Sequence, residues 1–138
     1  MNNLKRKYLI ATHGTMASGL QSSLDILTNN GQQIKVIDAY ITEEDYTSEI
    51  QSFMNDVSSE EQGFIFTDLY GGSVNQKVAI ELMSAKKENI ILISNSNLAI
   101  ILSIMFHQKE EKLGEKDIED LIDECKIQLV DTNLEDNL

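Results

Sequence analysis

Residues 8–15, with the sequence YLIATHGT, join an apolar run to a histidine that is followed at once by a glycine. The apolar residues Tyr8, Leu9 and Ile10 are typical of a buried strand. Gly14 lets the chain turn sharply directly after the imidazole of His13, because glycine tolerates backbone conformations that other residues avoid. The stretch therefore predicts a strand that carries a titratable side chain to the end of a sheet.

Apolar residues along the rest of the chain alternate between the period of a strand and that of a helix. Continuous apolar runs predict four strands, at residues 8–12, 34–40, 63–67 and 90–93. Apolar residues at helical spacing predict five helices, which begin at Met16, near Thr42, near Val74, after Asn97 and near Ile118. Asn97 is the predicted N-cap of the fourth helix. A charged stretch at 108–116 is expected to be flexible, and residues 127–130 predict a last short strand.

Four strand–helix units in succession, with strands that are apolar throughout, indicate a parallel sheet covered by helices on both faces. Crossover connections are right-handed, so helices on both faces require the strand order to reverse. We therefore expect one α/β domain over residues 1–138, a three-layer, doubly wound sheet with parallel strands in the order 2-1-3-4. Strands 1 and 3 meet at the reversal, where open α/β sheets bind ligands.

Composition excludes several classes of partner. The chain has 138 residues, near the commonest domain size, and a formal net charge of −12. That charge argues against nucleic acid and anionic membrane surfaces, which need clustered lysine and arginine. No apolar run reaches the ~18 residues that span a bilayer. We therefore expect no direct membrane insertion. The single cysteine, Cys125, cannot form an internal disulfide, and this favours a cytoplasmic protein.

The predicted reversal brings two reactive side chains together. Strand 1 ends at His13 and strand 3 ends at Asp68. Gly71 and Gly72 then allow a tight turn, and Ser73 can cap the following helix, whose N-terminus suits an anion. If Asp68 accepts a hydrogen bond from Nδ1 of the imidazole, Nε2 keeps its lone pair for nucleophilic attack on phosphorus.

The start of the first helix repeats this arrangement, with Gly14 in the turn and Thr12 before it. We predict that His13 and Asp68 are catalytic. The predicted phosphate-binding residues share a place in the two turns, and they are Thr12, Gly14, Gly71, Gly72 and Ser73. We expect no metal or cofactor to be needed for attack of the imidazole on phosphorus.

Each element also has a plainer interpretation. A lone histidine is often structural, a lone aspartate often caps a helix, and two glycines often only form a loop.

Residues 14–21 have the glycine spacing of a P-loop, but Leu20 and Gln21 stand where lysine and a hydroxyl residue are required. A receiver domain would need an acidic pair after strand 1, and a zinc site would need a third ligand. The joint pattern favours phosphoryl chemistry on His13.

The motifs resemble the mannose-type enzyme IIA of the bacterial phosphotransferase system. The resemblance covers about residues 7–131, and its motifs are THG at 12–14, MA at 16–17, GL at 19–20, DLYGGS at 68–73 and Asn75. It implies that His13 accepts a phosphoryl group from the phosphocarrier HPr and passes it to enzyme IIB, while Asp68 orients the imidazole. Val74 and Ala99 depart from the family, which often has proline at these positions.

The resemblance also implies a homodimer in which an antiparallel C-terminal strand joins the sheet of the other chain. The order 2-1-3-4 leaves strands 2 and 4 as open edges, and Ile127–Val130 could cover strand 4. Two other functions stay open for the same fold. One is a regulatory or partner-binding module, and the other is a IIA-like subunit that serves a dihydroxyacetone kinase, in which serine rather than Gly14 is expected after the histidine.

Overall fold

The four predicted strands form one sheet in a computed structural model that describes residues 5–134. The sheet has the strands β1 (Arg6–His13), β2 (Lys35–Ala39), β3 (Gln62–Thr67) and β4 (Ile90–Ile93). The helices are α1 (Met16–Thr28), α2 (Thr47–Asp56), α3 (Ser73–Ala85), α4 (Leu98–Met105) and α5 (Glu115–Glu124), with a 3-10 turn at Gly31–Gln33. The ends of the predicted domain, 1–4 and 135–138, lie outside the described residues.

The strand order is β2-β1-β3-β4, and all three pairings are parallel. The predicted α/β fold with strands in the order 2-1-3-4 is therefore confirmed. His13 pairs with Ala39 of β2, and Ala11 pairs with Thr67 of β3. The carboxyl ends of the first three strands consequently lie side by side where the order reverses.

Two apolar cores hold the helices against the two faces of the sheet. Successive residues of β1 point to opposite faces, so Leu9 and Ala11 pack with α2 and α3, and Ile10 packs with α1, α4 and α5. All six residues of β3 are buried, as expected for a central strand covered on both sides. The rigid sheet fixes the ends of β1 and β3, and with them the two predicted catalytic residues.

Helix α2 begins later than the sequence predicts. The acidic stretch near Thr42 does not start the helix, since α2 begins at Thr47 with Tyr46 as its N-cap residue. Oδ1 of Asp45 accepts hydrogen bonds from the N–H and the hydroxyl of Thr47, at 3.0 and 2.7 Å. This local turn satisfies the donors that would otherwise extend the helix backwards.

The C-terminal part differs from the prediction in two respects. The stretch at 108–116, which was expected to be flexible, is attached to β1. The guanidinium of Arg6 donates hydrogen bonds to the backbone carbonyls of His107 and Lys109, at 3.0 and 2.6 Å. Residues 127–130 form no strand in the described part of this single chain, and Leu129 is fully exposed.

The predicted cap of α4 is confirmed, since Oδ1 of Asn97 accepts from the N–H of Ile100 at 2.9 Å.

Gln62 fastens the loop before α5 to the sheet. This residue is buried, and its side-chain amide donates to the carbonyl of Leu113 at 2.9 Å and accepts from the N–H of Leu113 at 2.8 Å. Leu113 is itself buried, so neither of its backbone groups has water as a substitute partner.

Gln62→Met should lower the free energy of unfolding by about 2–4 kcal/mol, because it leaves two buried backbone groups without partners at similar side-chain volume. Urea unfolding measures the change. Gln108→Met, at an exposed position of the same loop, is the matched control and should change stability by less than about 0.5 kcal/mol. Equal stabilities for the two variants would contradict this role of Gln62.

Candidate active site

His13 and Asp68 meet at the reversal of the strand order. Oδ2 of Asp68 accepts two hydrogen bonds from His13, one from the backbone N–H and one from ring Nδ1, both at 2.8 Å. The carboxylate side chain is 11% exposed, whereas the imidazole is 40% exposed. The carboxylate of Asp68 is therefore largely buried, while the imidazole that it holds is accessible to solvent.

The ionised state of Asp68 determines which ring nitrogen of His13 carries the proton. Burial alone would raise the pKa of Asp68, but the hydrogen bonds from the backbone N–H and the ring of His13 outweigh it and lower the pKa below its ordinary value. An ionised carboxylate can only accept hydrogen bonds, so Nδ1 is the donor. In the neutral ring, Nε2 is therefore the unprotonated nitrogen.

A chain of hydroxyl groups continues from Nε2. Oγ of Ser73 lies 3.1 Å from Nε2, and the hydroxyl of Tyr40 lies 2.8 Å from Oγ. The hydroxyl of Tyr46 follows at 3.3 Å from that of Tyr40. Because the unprotonated Nε2 needs a donor, Ser73 donates to His13 and receives a hydrogen bond from Tyr40 in turn.

The glycine turn after β3 brings backbone close to the imidazole. Gly71 has φ +77°, a conformation that favours glycine. A Cβ on Gly72 would lie 3.1 Å from the carbonyl oxygen of Leu69 and 3.6 Å from Cε1 of His13. Asn75 secures the turn, since its Oδ1 accepts from the N–H of Gly71 at 3.0 Å and its Nδ2 donates to Thr67 at 3.0 Å.

The predicted phosphate-binding residues differ in what they can offer a ligand. The hydroxyl of Thr12 is buried and accepts from the N–H of Ala17 at 2.8 Å, so Thr12 secures the start of α1. The N–H of Gly14 donates to Ala39, and the N–H of Gly72 donates to Leu69. Ser73 is the first residue of α3, with Gly72 rather than Ser73 as N-cap. The N–H of Ser73 therefore has no acceptor within the helix.

Several residues near the ring were not predicted from the sequence. Tyr40 lies with its ring centroid 5.3 Å from that of His13, and Tyr46 supports it edge-on at 5.8 Å. The backbone N–H of Asn95 donates to the carbonyl of Asp68 at 2.6 Å. The available signal was positional, since Tyr40 directly follows β2 and Asn95 follows β4, two strands whose carboxyl ends share this edge.

The second histidine of the sequence and its single cysteine lie elsewhere. His107 is held at the start of β1 by Arg6, at the opposite end of that strand from His13. Cys125 is half-buried, with Sγ 3.3 Å from the hydroxyl of Ser103. Between residues 5 and 134, no group of three or more metal-ligating side chains comes together. None of the helices in that range has the length and apolarity to cross a bilayer.

The fold and the site define a doubly wound α/β protein with a histidine–aspartate pair at the reversal of its sheet. Residues 7–122 match the family model of the PTS system fructose IIA component, in which PTS denotes the phosphotransferase system. The chain belongs to this family, which confirms the resemblance. It is a IIA-type sugar phosphotransferase component of the mannose family.

Solved structures share the fold. The mannose/sorbose specific IIA subunit from Enterococcus faecalis is 19% identical, with a TM-score of 0.69 over 94% of this chain and 98% of that one. The IIA protein associated with the fucose utilization operon of Streptococcus pneumoniae is 16% identical, with a TM-score of 0.69 over 93% of this chain and 96% of that one. A Klebsiella pneumoniae protein, named as a candidate PTS permease, is 26% identical, with a TM-score of 0.69 over 90% and 85%. Curated protein sequences gave no match.

Proposed function

We propose that residues 1–138 act as one phosphocarrier domain, in which His13 accepts a phosphoryl group from phospho-HPr and passes it to an enzyme IIB. The observation that carries this proposal is the hydrogen bond from Nδ1 of His13 to the buried carboxylate of Asp68 at 2.8 Å. In the neutral imidazole that bond assigns the lone pair to Nε2, and the side chain is 40% exposed, so a partner protein can reach it.

The transfer forms one bond and breaks one. The lone pair of Nε2 forms an N–P bond, while the N–P bond of the donor phosphohistidine breaks and its electron pair stays on the donor imidazole. The Nδ1 proton remains on His13, so the phosphorylated ring is cationic and the carboxylate of Asp68 stabilises its charge. Transfer to the acceptor histidine reverses these changes, and no metal or cofactor takes part.

The phosphoryl oxygens need hydrogen-bond donors beside Nε2. The Ser73 hydroxyl, already 3.1 Å from Nε2, is the nearest side-chain donor. The first N–H groups of α3, beginning with that of Ser73, add free donors and the positive end of the helix dipole. Gly71 and Gly72 hold this helix start against the ring, and Gly14, with φ +62°, turns the chain directly after His13.

The direct test is a two-stage transfer assay with the intact chain. Phospho-HPr should label the chain with one acid-labile phosphoryl group, and a mannose-type enzyme IIB added afterwards should remove it. A chain that phospho-HPr leaves unlabelled would overturn the proposal. A label that the enzyme IIB cannot remove would favour the regulatory module or the kinase-associated subunit instead.

We further propose that two chains form a homodimer by exchanging their C-terminal segments, residues 127–130. The edge of β4 is unpaired in the sheet order β2-β1-β3-β4. Ile127 and Leu129 are 92% and 100% exposed, and Ile127 lines an apolar groove beside β4. Pairing of this segment with β4 of a second chain would bury these apolar side chains and cover the open edge.

Light scattering at micromolar concentration should therefore give about 31 kDa, twice the 15.5 kDa of one chain. A chain shortened to end at Cys125 should dissociate, because it lacks the exchanged segment. A chain that ends at Val130 keeps that segment and serves as the matched control. A monomeric intact chain would refute the exchange.

A further inference from the structure

Tyr40 has an unusual backbone for a bulky residue. Its φ is +69°, a left-handed conformation that large side chains rarely adopt. The other described non-glycine residues with positive φ have ordinary explanations, because Asn29 and Lys86 end helices and Asn95 is an asparagine. Such a conformation persists only where the surroundings hold it, and it commonly marks a functional position.

This backbone places the Tyr40 side chain against the reacting ring. Its ring lies 5.3 Å from the imidazole of His13 at an angle of 37°, within the usual range of aromatic contacts. Its hydroxyl lies 2.8 Å from Oγ of Ser73. Tyr40 thus contacts both the nucleophile and the hydroxyl nearest to that nucleophile.

The hydrogen bonds run from Nε2 of His13 through the hydroxyls of Ser73 and Tyr40 to that of Tyr46, and their direction follows from the His13 end. At one end, the unprotonated Nε2 of His13 requires a donor, which is Ser73. Each hydroxyl carries one proton, so Oγ of Ser73 can only accept at its 2.8 Å contact with the Tyr40 hydroxyl, and that hydroxyl can only accept at its 3.3 Å contact with Tyr46. Tyr40 therefore donates to Oγ of Ser73, and the Ser73 proton is directed at Nε2.

We propose that Tyr40 is a positioning residue for the phosphocarrier reaction, acting through Ser73 to hold the hydrogen bond at Nε2 and keep the imidazole aligned for attack. The inference rests on the proposed function of His13. When the phosphoryl group arrives, the Tyr40 hydroxyl holds Oγ in place while the Ser73 proton turns from Nε2 to a phosphoryl oxygen. The same contact then supports both the free and the phosphorylated state.

The test compares Tyr40→Phe with Tyr70→Phe. Tyr40→Phe keeps the ring against His13 and removes only the hydroxyl. Tyr70 lies at the same end of the sheet, is 79% exposed, and its hydroxyl makes no hydrogen bond within the described chain, so its variant is the matched control. Nitrogen NMR of the unphosphorylated chain reports the protonation of Nε2 directly, and single-turnover transfer from phospho-HPr reports the rate.

In Tyr40→Phe the Nε2 resonance should shift from its wild-type position, because Oγ of Ser73 is no longer held by the Tyr40 hydroxyl and its hydrogen bond to Nε2 weakens. Transfer should slow by ~5- to 10-fold, the effect of one lost hydrogen bond. Tyr70→Phe should match the wild-type chain in both measurements. An unchanged Nε2 resonance in Tyr40→Phe would overturn the proposal, as would a wild-type transfer rate.

A double variant tests whether Tyr40 acts through Ser73. In a Ser73→Ala chain, adding Tyr40→Phe should change neither the resonance nor the rate further, and additive effects would refute the route through Ser73. If phospho-HPr labels no form of the chain, the phosphocarrier function fails. The Nε2 resonance still decides whether Tyr40 positions the ring.

Discussion

Replacing His13 with alanine should abolish labelling of the chain by phospho-HPr. The substitution removes Nε2, the ring nitrogen that carries the lone pair in the neutral imidazole when Nδ1 donates to Asp68. The backbone N–H of His13 still donates to Asp68, so the variant keeps the contact that joins β1 to the end of β3. Circular dichroism should therefore show a folded chain, and phosphate analysis should show no acid-labile group.

His107→Ala is the matched control for this substitution. His107 is the other histidine of the sequence, and its backbone carbonyl is bound by Arg6 at the far end of β1. Among residues 5–134, the hydrogen bond that its ring makes is a local one, in which Nδ1 accepts from the N–H of Lys109 at 3.1 Å. This variant should be labelled like the wild-type chain. Acid-labile phosphate on the His13→Ala chain would remove His13 from the reaction.

Asp68→Ala should slow phosphoryl transfer by ~10²-fold or more, the range found for orienting and general acid–base groups. Two effects of the carboxylate are lost together. The imidazole is no longer held with Nδ1 as donor, and the positive charge of the phosphorylated ring loses its neighbour at 2.8 Å. Single-turnover transfer from phospho-HPr measures the rate.

Asp68→Asn separates the two effects. The amide oxygen can still accept a hydrogen bond from Nδ1, but it has no negative charge to stabilise the cationic ring. Its rate should lie between those of the wild-type and alanine chains. If the wild-type chain instead has phosphate on Asp68, recognised by the base lability of an acyl phosphate, the aspartate is the acceptor and the assigned roles are wrong.

The sequence was sufficient for the fold because few topologies satisfy its pattern. Four apolar runs with a helix after each require a parallel sheet, and right-handed crossovers then require a reversal between strands 1 and 3. The meeting of His13 and Asp68, 55 positions apart, follows from that reversal alone, and the structure places them in contact. The start of α2 was misplaced because the turn at Asp45 depends on one side chain.

The finer contacts of the site could not be predicted from residue type. The N–H of Gly14 donates to Ala39, that of Gly72 donates to Leu69, and the Thr12 hydroxyl accepts from the start of α1, contacts that residue type alone does not reveal; phosphate binding by these residues stays a prediction. The role of Tyr40 depends on its left-handed backbone, which no periodicity reveals. Likewise, the hydrogen bond from Ser73 to Nε2 depends on a helix that begins at Ser73 rather than after it.

Phosphorus–nitrogen NMR of the labelled chain distinguishes Nε2 of His13 from every other candidate phosphoryl acceptor. The chain is enriched in the heavy nitrogen isotope and phosphorylated with phospho-HPr, and the coupling between phosphorus and each ring nitrogen is measured. We expect coupling to Nε2 of His13, with Nδ1 still bearing its proton for Asp68. Coupling to Nδ1, or phosphorus on any other residue, would contradict it.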